Sequence, residues 1–207
     1  MFGGNFQTWK LHSAQDYFMF FAYILAGVMV FWLIAKHMNK QRNHEKAVEK
    51  VSARLKKICG KPGEVLKNAT LNLPDGEMTF DAVLMDKRGI YLVRTYGWGI
   101  KIYGTPDGAM WRREDAKRKE EFENPLLNLK KGAEEIGKIM EENGVHNLKV
   151  MPMVVFADNY QTPELYLGYG SFSTTYQELK NWYKKQSGVK EVQYDYDKVS
   201  SIIKELA

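Results

Sequence analysis

A chain of 207 residues, 44% of them apolar, holds enough material for one packed core plus an appendage, which excludes wholesale disorder. A formal charge of +5 permits an anionic partner, nucleic acid or lipid, without demanding one. The single cysteine, Cys59, excludes an intramolecular disulfide and any multi-cysteine zinc site, and by default is a small apolar residue in a reducing compartment.

The first element is Tyr17 to Ala35, 19 residues with neither charge nor proline. At about 1.5 Å per residue it spans roughly 28 Å, close to the hydrocarbon thickness of a bilayer. Trp9 and Lys10 before it, and Trp32, Lys36 and His37 at its far end, suit interfacial anchoring. A cleaved signal peptide is the competing reading. Against it stand Asp16 in the leading segment and the lack of a small-x-small site before the basic cluster. Lys36, Lys40, Arg42, Lys46, Lys50, Arg54, Lys56 and Lys57 follow the segment, whereas Lys10 alone precedes it. The excess of positive charge places the C-terminal part in the cytoplasm and the first sixteen residues outside. The same run, interrupted by Glu45 and Glu49, reads secondarily as a lipid or nucleic-acid contact. The expected organisation is an extracytoplasmic segment 1–16, a membrane helix 17–35, a basic juxtamembrane helix 36–60 and a cytoplasmic domain 61–207.

Val48, Val51, Leu55 and Ile58 recur at three- and four-residue spacing, which predicts an amphipathic helix over 44–58. Nothing between it and the membrane segment breaks a helix, so the two are allowed to be continuous; Lys61-Pro62-Gly63 ends it. Strands are predicted over 64–73, 78–85, 90–95 and 99–103, with turns at Pro74-Asp75-Gly76, Asp86–Gly89 and Thr105–Gly108. The charge-dense stretch 112–123 predicts a solvated loop or a helix start. Asn124-Pro125 opens a helix through Leu126, Leu129, Ala133, Ile136 and Met140 that ends near Asn143-Gly144. The apolar run 148–156 predicts a strand buried on both faces. A capping box, Thr175 with Glu178, precedes a helix over 176–185, and a last helix starts near Asp197. This order is an α/β layered domain with a mixed sheet, in which the helix at 126–142 makes a parallel crossover.

The order and its landmarks resemble the nuclease-related domain (NERD) family, a branch of the PD-(D/E)xK restriction-endonuclease-like superfamily, over roughly residues 45–157. The matching residues are Glu45 on the first helix, Asp81 on the second strand, Gly89 opening the third, Asn124-Pro125-Leu126 opening the next helix, and Val154-Val155-Phe156 closing the last strand. The resemblance implies a metal-dependent phosphodiesterase site. Its strand carboxylates would hold divalent cations that polarise phosphate and acidify water, with a lysine two residues after the second acid on the same face.

In this chain the third-strand positions of that Glu and Lys are Arg94 and Tyr96. An arginine puts a permanent cation where a metal would sit, and Asp81 is expected to pair with it. The helix entries depart too, with His44 before the first-helix Glu and Asn128 after the Asn-Pro-Leu. No catalytic residue, resident metal or cofactor is therefore expected, and Glu45, Asp81, Arg94 and Tyr96 mark a degenerate site. The four histidines are scattered, no phosphate-binding glycine loop follows a strand, and no Ser-His-Asp spacing stands out. The aromatic C-terminal third, from Tyr160 to Tyr196, reads as packing, a protein interface or a base-stacking surface.

The leading expectation is a single-pass membrane protein whose degenerate nuclease-like domain serves as an accessory subunit, with the lipid bilayer and other membrane proteins as partners. Nucleic-acid binding without cleavage is the less favoured alternative; it would use Arg94, Arg112, Arg113, Lys117, Arg118, Lys119 and the juxtamembrane Lys36, Lys40 and Arg42. An active nuclease built on Asp81 and Glu45 is the third.

Overall fold

A computed structural model describes residues 14–41, 43–158, 161–185 and 194–207. Trp9, Lys10, Arg42 and Tyr160 lie outside the described residues, as do the side chains of residues 37–41. The chain divides into two units, Met1–Lys40 and Gln41–Ala207.

The first unit contains the helix α1 (Ala14–Gln41). Its stretch Ala14–Lys36 is long and apolar enough to cross a membrane, and none of its most apolar part is buried. Length and composition suit an anchor and a signal sequence alike. Lys36 lies over the Trp32 ring, 4.4 Å from its centroid.

The second unit is built on two sheets. The larger has the order β1-β2-β3-β7-β9, from β1 (Glu64–Leu73), β2 (Gly76–Asp86), β3 (Gly89–Tyr96), β7 (Val150–Phe156) and β9 (Ser173–Thr175). β1, β2 and β3 form an antiparallel meander, and β7 then joins β3 in parallel, as the crossover through α3 (Pro125–Glu142) requires. The smaller sheet has the order β6-β5-β4-β8, from β4 (Lys101–Gly104), β5 (Met110–Glu114), β6 (Lys119–Glu123) and β8 (Glu164–Leu167).

Helices cover both faces of the larger sheet. On one face α3 and α5 (Tyr196–Leu206) bring Leu126, Ile136, Met140, Val199 and Ile203 against Leu71, Val83, Met85, Ile90, Leu92 and Val154. On the other, α2 (His44–Cys59) and α4 (Leu179–Lys185) bring Val51, Leu55, Leu179 and Tyr183 against Leu84, Tyr91, Val93, Met153 and Val155. Each such aliphatic side chain, fully buried, contributes about 1.5–3 kcal/mol. β7 alternates between the two cores, which explains why its sequence is apolar without a period.

Three expectations change. The helix over 44–58 is distinct from α1: Asn43 takes extended backbone angles and its side chain accepts the Glu45 N–H, a cap that starts α2 afresh. The stretch 112–123 is neither loop nor helix but most of the β5–β6 hairpin. Its charges pair across the strands, Arg113 with Glu120 at 3.1 Å and Lys119 with Glu114 at 3.8 Å, so they satisfy one another rather than water alone. The helix after Thr175 is shorter than 176–185, although Thr175 Oγ1 does accept the Glu178 N–H.

Asn124 does more than open α3. Its Oδ1 accepts the Leu126 N–H at 2.9 Å, while its Nδ2 donates to the carbonyls of Gly108 and Pro106 at 2.8 and 3.1 Å, and the residue is buried. It thus pins the β4–β5 turn to the helix start. Asn124→Ala is expected to cost about 2 kcal/mol, a cap plus orphaned buried carbonyls. Asn124→Asp keeps the acceptor but sets a buried carboxylate oxygen against those carbonyls, so in thermal melts it should be no more stable than Asn124→Ala.

Candidate functional site

Strict alternation would keep Phe80 and Ala82 on one face of β2. Instead Phe80 packs in the α3 core and Ala82 in the α2 core, while Val83 returns to the first. The switch falls at Asp81, opposite Asn68, whose φ of 48° is left-handed. Asn68 and Asp81 are skipped in an otherwise continuous β1–β2 register.

β2 and β3 part at the same place, their pairing ending at Ala82–Val93. The next β3 amide facing β2 is that of Thr95, and the Asp81 carboxylate accepts it at 2.6 Å. Asp81 thus substitutes a side-chain acceptor for the missing ladder carbonyl. It is 4% exposed, and its other oxygen, Oδ1, lies 3.3 Å from Arg94 Nη1 and 3.4 Å from His44 Nε2.

An open cleft of about 720 Å³ adjoins this cluster, lined among others by His44, Arg94, Tyr96, Trp98, Arg113 and Asn128. Tyr96, where the resemblance leads one to expect a lysine, is a packing residue. Its ring stacks on Phe156 at 5.5 Å and meets Phe122 of β6 at 4.9 Å, joining the two sheets. Burial pushes its hydroxyl up to about 12, so it is neither a cation nor a base at neutral pH.

The structure brings Asp81, Arg94 and Tyr96 to one place and leaves Glu45 exposed on the first turn of α2. The residue of that turn that reaches Asp81 is the preceding His44. In the sequence His44 stands only as a departure from the family pattern, and its place at a helix start beside Glu45 is the signal that points to the site. Among the described residues, no group of three or more His, Cys, Asp or Glu side chains could hold a metal ion.

Of the predicted basic contacts, Arg113 reaches the cleft, where its guanidinium lies 3.9 Å from the Trp98 ring centroid. Arg118 approaches Trp98 from 5.1 Å and Asp115 from 3.8 Å. Arg112 lies over Tyr103, and Lys117 is exposed at the hairpin tip.

A mixed sheet with helices on both faces, an antiparallel meander, a parallel crossover and an aspartate where two strands part define a nuclease-like α/β domain. The chain belongs to the nuclease-related domain family, whose model matches residues 40–157. A relative from Bacillus anthracis, described as an uncharacterized protein, is 30% identical over 112 residues, covering 53% of this chain and 52% of its own length. The chain therefore spans about half the length of the curated relative it matches. No solved structure matches it.

Proposed function

We propose that this protein is a membrane-anchored nuclease-related domain that has lost metal-dependent cleavage and acts as a binding subunit of a membrane protein complex. The observation that supports this is the Arg94 guanidinium lying on the Asp81 carboxylate. Metal-assisted phosphodiester hydrolysis needs clustered acidic oxygens with open coordination positions. Here one carboxylate oxygen holds a backbone amide and the other faces a permanent cation. The anchor reading rests on the length and apolarity of α1, and a cytoplasmic domain on the cations that follow it. Pairing of Arg113, Arg118 and Lys119 within their hairpin gives less support to the nucleic-acid alternative.

The full chain in mild detergent, incubated with plasmid DNA, single-stranded DNA and RNA in Mg²⁺ or Mn²⁺, is expected to cleave none of them faster than Asp81→Ala does. Metal-dependent cleavage that Asp81→Ala abolishes overturns the loss of catalysis. Extraction from native membranes is expected to retain a stoichiometric membrane protein. A monodisperse monomer with nothing bound would overturn the subunit role.

A further inference from the structure

A second cleft, of about 590 Å³, lies on the other face of the larger sheet, between α2 and α4. Among the described residues, the charged side chains that line it are all cations: Lys50, Arg54, Lys57, Arg88, Lys180 and Lys184. On α2 the first three fall at positions i, i+4 and i+7; on α4 the last two fall at i and i+4. Arg88 comes from the β2–β3 turn, so three separate elements converge.

The two arginines are held in place. Arg54 stacks over Tyr176 at 4.5 Å and donates to the Gln177 carbonyl at 3.3 Å. Arg88 stacks over Tyr183 at 4.2 Å and donates to the Tyr183 carbonyl at 2.8 Å. Each such guanidinium keeps further N–H donors in a fixed fork, a geometry that matches phosphate oxygens. Asp86, behind Arg88, is buried and accepts the Arg88 amide and the Tyr183 hydroxyl. The tyrosines of the C-terminal third thus serve here as platforms for cations.

We infer that this cleft binds a small polyanion carrying two or more phosphate groups, as a soluble phosphorylated compound or as a lipid headgroup. Six converging cations exceed what one phosphate needs, and the volume suits a ligand larger than inorganic phosphate. The inference is independent of the Asp81 site, which lies at the far end of β3 from the Arg88 turn.

The test titrates inorganic triphosphate into the full chain in neutral detergent at low salt, read by calorimetry and by melting temperature. Saturable one-site binding that weakens as salt screens the cleft is expected. The double variant Lys57→Gln, Lys180→Gln changes exposed side chains, so its ligand-free melt should not fall below the parent's, while its affinity falls by about tenfold. A control double of equal charge, Lys67→Gln, Lys138→Gln, which replaces exposed lysines outside the cleft lining, should leave affinity within about twofold. Absence of saturable binding, equal weakening by the two double variants, or tight binding of an oligonucleotide without any of triphosphate overturns the inference. In nanodiscs of equal lipid charge, weaker triphosphate binding in cardiolipin, whose headgroup carries two phosphates, than in phosphatidylglycerol, which carries one, identifies a headgroup as occupant. Equal affinity in both lipids identifies the soluble anion. Either outcome supports the cleft.

Discussion

Gly89→Ala is expected to lower the stability of the 41–207 unit by about 3–5 kcal/mol, a large share of a domain's total. Gly89 has φ of 133°, which L side chains rarely adopt, and an added Cβ would lie 2.0 Å from the Lys149 carbonyl oxygen. The obstacle is backbone and cannot swing aside. That carbonyl also accepts the Ile90 N–H at 2.8 Å, beside the first pair of the β3–β7 ladder, so relieving the clash breaks the parallel pairing. Gly76→Ala is the control: its φ is 123° with nothing within 4 Å of the added carbon, so it carries strain without a clash and should cost about 1–2 kcal/mol. Melting of both variants by tryptophan fluorescence separates the two effects. Equal losses would contradict the close approach. Five residues downstream is Arg94, so the register set at Gly89 fixes which face it takes; a slip by one residue would turn it away from Asp81.

Elements with a strong local cause were legible in the sequence. α3 begins at an asparagine cap followed by proline and carries a clean apolar stripe, and β7 is a continuous apolar run between polar flanks. The β5–β6 hairpin was not legible, because its strands are stabilised by charge pairing across a partner strand rather than by apolar alternation. β8 and β9, of four and three residues, are too short to show a period and exist because β4 and β7 offer them an edge. At the site, Tyr96 stood out in the sequence, but its role as a bridge between two sheets depends on the Phe122 strand, which the sequence does not announce. The face switch at Asp81 depends on a left-handed Asn68 in the neighbouring strand, a pairing no single segment reveals. Charge direction was likewise only half legible. The lysines of α2 served as a topology signal, whereas the second basic stripe, on α4, meets them only through the fold.

Asp81→Ala is expected to cost about 2–4 kcal/mol, a melting point lower by roughly 5–12 °C for a unit of this size. Removing the carboxylate strands the buried Thr95 amide and takes the partner from Arg94 and His44. Arg94 is 36% exposed in its side chain, so water softens its loss, and the figure lies below that for a fully buried pair. Arg94→Ala alone should cost only about 1 kcal/mol, since Asp81 retains the Thr95 amide. In a double-mutant cycle the pair should then couple measurably, with the double variant less unstable than the sum of the singles. A working metal site makes opposite demands. An acid kept for a cation is poorly satisfied without it, so its removal would leave the metal-free melt unchanged or raise it, and millimolar Mg²⁺ or Mn²⁺ would stabilise the parent. The expected result is a large loss in Asp81→Ala and no shift with either metal. Asp81→Asn refines the assignment: it retains an acceptor for Thr95 while giving up the charge facing Arg94, so it should fall between parent and Asp81→Ala. If Asp81→Asn instead melts as low as Asp81→Ala, the ion pair dominates, and the aspartate at this strand junction owes its place to Arg94.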